Sequence, residues 1–94
     1  MVIGVCTLEL SLPATASLKD KRQVIKSMIA RLRNEFNISV AEVGAQDQWQ
    51  WAVVGVACVS GDRDYAQGLL NRVVTWIQEN RLDCDLADHQ IQIM

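Results

Sequence analysis

The chain has 94 residues, of which 50% are hydrophobic and 21% are charged, and its formal net charge is −2. This composition predicts one folded domain over residues 1–94 and excludes a disordered chain. No apolar run has the length of a transmembrane helix, and the first residues lack the basic n-region of a signal peptide, so we expect neither. The three cysteines are far apart and there is one histidine, so we expect free thiols, a reducing cytoplasm, no metal site and no cofactor.

The first third of the chain predicts a strand followed by a helix. Residues 2–11 alternate between apolar and polar side chains, as in a strand with one buried face. Pro13 ends this strand, and Ser17 is placed to cap a helix, with Asp20 three residues later at the second position of a capping box. Apolar residues at helical spacing then predict a helix that ends near Asn37.

The rest of the chain predicts two strands, a helix and a last strand. Residues 38–44 and 49–60 are separated by a short polar linker, which favours an antiparallel hairpin. The second of these strands is apolar on both faces, as in the centre of a sheet. A helix follows Asp62, with Tyr65 and Trp76 counted on its apolar stripe, and residues 82–94 predict the final strand.

The element order β-α-β-β-α-β predicts an α+β, ferredoxin-like fold. Right-handed crossovers give a four-stranded antiparallel sheet, with the first and third strands central and both helices on one face. The other face would then be open and partly apolar, which favours self-association as a homodimer. Trp49 and Trp51 are expected on one face of the third strand, where they either pack against the hairpin or a partner subunit or stack unpaired bases.

Positive charge is concentrated in the first helix. Six of the nine Lys and Arg residues lie between positions 19 and 33, with one acid. At about 100° per residue, four of them share a narrow stripe beside the apolar seam, and the first turn carries cations where the helix dipole favours acids. These features predict phosphate binding; alternatively, long basic side chains only cover the seam edge with their stems. The candidate residues are Lys19, Lys21, Arg22, Lys26 and Arg33.

The run "SLKDKRQVIKSMIARLRNEFNISVAEV", followed by "DQWQWAVVGVACVS", resembles the YlxP-like family, also called domain of unknown function 503. The resemblance covers roughly residues 1–85 and implies a dimeric ferredoxin-like protein, encoded beside translation and ribosome-maturation factors, with no established enzymatic activity. Its basic motif matches Arg31 in addition to the five candidate residues. Two positions depart from the family pattern: Trp51 stands where a basic residue is common, and Gly44 where an acid is common.

The sequence therefore predicts a non-enzymatic RNA-binding protein or a partner of the small ribosomal subunit. The alternative is a homodimeric scaffold or small-ligand-binding module that acts through the open sheet face. An enzyme is not expected, because Cys6, Cys58 and His89 lack the spacing of a Cys–His pair and no Gly-rich phosphate loop is present. Glu42 and Asp47 flank the hairpin and are interpreted as exposed turn acids.

Overall fold

The strands and helices follow one another in the predicted order. A computed structural model of the protein describes residues 1–80 and 83–94. The last strand begins three residues later than predicted, and Leu82 lies outside the described residues. The elements are β1 (Val2–Ser11), α1 (Leu18–Glu35), β2 (Ser39–Gly44), β3 (Trp51–Ser60), α2 (Arg63–Glu79) and β4 (Asp85–Ile93).

The four strands form one antiparallel sheet in the order β2-β3-β1-β4. The predicted central position of the first and third strands is confirmed: β1 and β3 pair without interruption from Val2 opposite Ser60 to Ser11 opposite Trp51. A register shift after Glu42 in β2 marks a bulge, and the Val43 side chain lies against Gly55 of β3. β2 and β4 are therefore the edge strands.

One face of the sheet carries the core, because the apolar side chains of β1 and β3 alternate in and out with period two. Both helices pack on this face, which confirms the ferredoxin-like α+β fold. The buried strand residues include Cys6, Leu8 and Leu10 of β1, and the helices contribute six and three buried apolar side chains from α2 and α1, respectively. The opposite face, which we call the open face, has no layer packed on it within the described chain.

Both helices begin at the residues that the sequence predicts. The Asp20 amide donates to Ser17 Oγ at 3.1 Å, and the Asp20 carboxylate accepts from the Ala16 amide at 3.2 Å. The capping box is thus displaced by one residue, because the carboxylate reaches the residue before the cap. Asp62 caps α2 by accepting from the Asp64 amide at 3.1 Å. No helix within the described residues is long and apolar enough to cross a membrane.

The three aromatic residues predicted on α2 and β3 need correction. Tyr65 is exposed rather than part of the apolar stripe of α2, and it lies beside the Arg72 guanidinium. Trp76 is half-buried at the edge of the core, where its ring meets Phe36 edge to face at a centroid distance of 6.4 Å. Trp49 precedes β3, so it does not share a strand face with Trp51.

Candidate nucleic-acid interface

Three cations of α1 line a groove of about 420 Å³ between this helix and the edge strand β2. Arg22, Lys26 and Arg33 are all exposed, as expected for a solvent-facing stripe. Arg33 also donates to the Val40 carbonyl at 2.9 Å, which ties the end of the helix to the edge strand. We call this feature the basic groove. Its remaining lining is mostly apolar and comes from Ile25, Ile29, Val40, Ala41 and Glu42.

The charge of the basic groove is largely uncompensated. Within the described chain, no carboxylate lies within 4 Å of Lys19, Arg22 or Lys26. Lys19 is exposed one turn before the groove and extends the line of positive charge toward the start of α1. At a rise of 1.5 Å per residue, the line from Lys19 to Arg33 is about 21 Å long. The structure thus brings together four of the five predicted site residues.

Lys21, the fifth predicted residue, is not part of this surface. Its side chain is 0% exposed, and its ammonium lies 2.6 Å from the Ala45 carbonyl, 2.5 Å from the Gln48 carbonyl and 2.9 Å from Glu42 Oε2. The contact with Glu42 is an ion pair rather than an aligned hydrogen bond, since that oxygen has no hydrogen-bond partner. An ammonium surrounded in this way cannot bind an external phosphate, so the prediction for Lys21 is wrong.

The helical period could have identified Lys21 as buried. It precedes Ile25 by four residues, Met28 by seven and Leu32 by eleven, and all three are buried. Residues at these spacings share one helix face. A lysine at the first position of a buried seam needs acceptors at its end, and the hairpin loop supplies them. Glu42, predicted to be an exposed turn acid, is instead the partially buried partner of this lysine.

Arg31 is also committed within the domain. Its guanidinium lies 5.1 Å from the centre of the Trp76 ring and donates to Asn80 Oδ1 at 3.3 Å. Both contacts join α1 to α2 through cation–π attraction and a hydrogen bond. Arg31, which matches the basic motif, therefore takes part in packing between the two helices.

The loop of residues 45–50, which we call the 45–50 loop, is held on both sides. Lys21 binds two of its carbonyls, the Thr15 hydroxyl donates to the Trp49 carbonyl, and the Gln50 carbonyl accepts from the Leu12 amide at 3.0 Å. The side chain of Trp49 is nevertheless 48% exposed. A large aromatic side chain thus projects from a fixed backbone beside the start of α1.

The open face is divided into an apolar half and a polar half. The apolar half has three exposed side chains, Ile3 of β1, Val43 of β2 and Val59 of β3, with Val43 at 59% and Val59 at 69%. Glu9 of β1 lies opposite Asp88 of β4 on the polar side. Like charges directly opposite each other on a sheet repel. Contact with water weakens this repulsion, so the polar half is suited to remain hydrated. The apolar half is the part of the face suited to contact with protein.

The thiols have the properties of structural cysteines. Burial raises the pKa of Cys6 to about 11. Burial, together with the charges of Asp85 and Asp83, raises the pKa of Cys84 to about 11. Both thiols are therefore protonated at neutral pH and are poor nucleophiles. Across residues 1–80 and 83–94, no group of three or more His, Cys, Asp or Glu side chains is arranged to hold a metal ion.

Comparison with known proteins shows which sequence family this chain matches. A family model described as "Protein of unknown function (DUF503)" matches residues 3–91. The "Uncharacterized protein YlxP" of Bacillus subtilis (strain 168) is 40% identical over 76 residues, which cover 81% of this chain and 83% of that protein. Among solved structures, the "De novo designed protein Foldit4" superposes with a TM-score of 0.54 at 14% identity, covering 100% of this chain and 97% of that one. This last likeness concerns the fold alone.

Proposed function

Because the chain belongs to the DUF503 family of proteins of unknown function, we propose its function from its own surface. It is a non-enzymatic cytoplasmic protein that binds RNA phosphates through the basic groove and Lys19, as a factor associated with the small ribosomal subunit. The observation that carries the proposal is the alignment of Arg22, Lys26 and Arg33 along one groove, with no carboxylate within 4 Å of Arg22 or Lys26 in the described chain.

The spacing of these cations suits the phosphates of a nucleic-acid strand. Arg22 and Lys26 are four residues apart and Lys26 and Arg33 seven, which corresponds to about 6 Å and about 10 Å along the helix axis. A guanidinium offers two parallel donors to a phosphate and an ammonium acts as a point charge. The groove therefore supplies separate phosphate contacts, and its apolar lining leaves room for the sugar and base surfaces between them.

Ribosomal RNA is the proposed source of the ligand, and the resemblance to proteins encoded beside ribosome-maturation factors supports this choice. The test measures RNA gel shift and co-sedimentation with small ribosomal subunits at low salt. The double charge reversal R22E/K26E should abolish both signals and leave the thermal midpoint nearly unchanged, because both side chains are exposed. A protein that neither shifts structured RNA nor co-sediments would contradict the proposal.

A matched control separates a local site from general electrostatic attraction. R63E/R72E makes the same change in net charge at two exposed cations of α2, on the other helix. This variant should retain most of the binding, because the proposed phosphate contacts are the groove cations and Lys19, none of which lies on α2. Equal loss of binding in the two double variants would mean that net charge alone determines the interaction.

A second function, a homodimeric scaffold, is proposed for the open face, on the observation that Ile3, Val43 and Val59 are all exposed and that Ile3 and Val59 lie opposite each other. Two copies that contact through these side chains would bury apolar surface that otherwise faces water. Sedimentation velocity should show a dimer for the wild type and a monomer for V59E. Q67E, on the exposed side of α2, should remain dimeric. A wild-type monomer at high concentration would contradict this proposal.

A further inference from the structure

Exposure of the Trp49 side chain does not stabilise the fold. The indole is 48% exposed, although a tryptophan side chain gains free energy from burial. The other two tryptophans are more buried: Trp76 packs against Phe36 and Arg31, and Trp51 is part of the central strand β3. An exposed aromatic ring in a well-anchored loop is a feature of binding surfaces.

The loop that carries Trp49 is fixed to the start of α1 by polar contacts. Lys21 binds the Ala45 and Gln48 carbonyls, and Thr15 binds the carbonyl of Trp49 itself. The ring therefore projects from a preorganised backbone, so a ligand that contacts it does not have to order the loop first.

The same contacts hold the 45–50 loop near the end of the basic groove at which α1 begins. Lys21, which binds the Gln48 carbonyl, directly precedes Arg22, the first cation of the groove. Glu42, which lines the groove, is the ion-pair partner of Lys21. Trp49 thus lies next in sequence to a residue anchored at the end of the groove where α1 begins. A strand that follows the cations toward that end would continue onto the 45–50 loop.

The chemistry of the 45–50 loop selects the part of an RNA strand that it could contact. Its sequence "AQDQWQ" contains one acid, Asp47, and no base. This charge opposes phosphate, so the loop is suited to an uncharged, planar group. We propose that Trp49 is a stacking surface for an unpaired base, and that the RNA bound in the basic groove is single-stranded where it reaches the loop. This inference rests on the proposed function and specifies its ligand class.

Base stacking on an aromatic side chain tolerates any base, because every base has a π face. A perfect duplex hides those faces and would contact only the cations of the groove. Loss of one stacked base weakens single-strand binding by roughly 5- to 150-fold. The proposal therefore predicts a selective loss, restricted to ligands that have unpaired bases.

The experiment measures fluorescence anisotropy with three probes: a single-stranded RNA of about 12 nucleotides, the duplex of the same sequence, and heparin as a polyanion without bases. W49A and W49L should weaken binding of the single strand by roughly 5- to 150-fold and leave the affinities for duplex and heparin unchanged. W49F, which keeps an aromatic ring, should retain most of the single-strand affinity. The thermal midpoints of all three variants should stay close to that of the wild type, since the ring is half exposed.

Failure of the inference and failure of the proposed function are distinguishable. If W49A and W49L bind the single strand like the wild type while R22E/K26E does not bind, the stacking role is wrong and the groove proposal stands. An equal loss for all three probes would assign Trp49 a structural role and would also overturn the inference. If the wild type binds none of the three probes, both proposals fail.

Discussion

Replacing Lys21 with methionine removes a buried positive charge and leaves its oxygen partners in place. The carbonyls of Ala45 and Gln48 and the Glu42 carboxylate would then face an apolar side chain. Removing one partner of a buried ion pair costs about 3–5 kcal/mol, because the remaining charge is left without compensation. A domain of this size has a free energy of unfolding of about 5–15 kcal/mol, so K21M should lose a large share of its stability.

The assay is urea denaturation followed by tryptophan fluorescence, supported by thermal melting. For a domain of this length, 1 kcal/mol lowers the thermal midpoint by about 4–8 °C, so K21M should melt at least about 12 °C lower. The matched control is K26M, which removes an exposed lysine from the same helix and should change the free energy of unfolding by less than about 0.5 kcal/mol.

A double variant tests whether the loss comes from the ion pair. E42Q removes the charge of the partner, so the cost of K21M/E42Q should be clearly less than the sum of the two single costs. If K21M and K26M unfold at the same denaturant concentration, the buried contacts of Lys21 do not stabilise the fold. If the two single costs are additive, Lys21 and Glu42 do not stabilise each other.

Two other substitutions and one reactivity measurement test the core packing, the helix cap and the Cys6 thiol. A Cβ at Gly4 would lie 2.9 Å from Leu70 Cδ1, so G4V should cost about 1–3 kcal/mol in denaturation; an unchanged midpoint would show that the core can relax. S17A removes the acceptor of the Asp20 amide and should cost about 1 kcal/mol, with S27A as an exposed control in mid-helix. At pH 8, the Cys6 thiol should react with iodoacetamide at least roughly 100-fold more slowly than an unfolded cysteine, because burial raises its pKa from 9.0 to about 11; equal rates would contradict its burial.

The fold could be predicted from the sequence because local patterns and sheet topology agree. The alternation of apolar and polar residues in β1 predicted one buried face, and the structure confirms it, with Cys6, Leu8 and Leu10 buried there. The two-sided apolar character of β3 indicated a central strand, which the pairing with β1 and β2 confirms. The capping residue Ser17 followed from its side-chain chemistry. These features depend on contacts close in sequence or on a repeated period.

The candidate site could be predicted only in part, because the roles of its lysines depend on distant partners. A count of positive charge placed Lys21 with Arg22 and Lys26, whereas its acceptors lie 21 to 27 residues further along the chain. The bonds from Lys21 to the Ala45 and Gln48 carbonyls hold the 45–50 loop, which contains Trp49 and ends where β3 begins at Trp51. Helical period alone would have separated Lys21 from the exposed cations, but not identified what it binds.

The salt dependence of RNA binding shows directly whether the exposed cations of α1 bind phosphates. For a single-stranded RNA, the logarithm of the binding constant should fall with the logarithm of the salt concentration, with a slope of about −0.7 for each neutralised phosphate. If Lys19, Arg22, Lys26 and Arg33 each neutralise one, the slope between about 50 and 200 mM salt should be about −2.8. R22Q/K26Q should reduce it to about −1.4. An affinity that does not change with salt, or a slope that is the same in R22Q/K26Q, would contradict the claim.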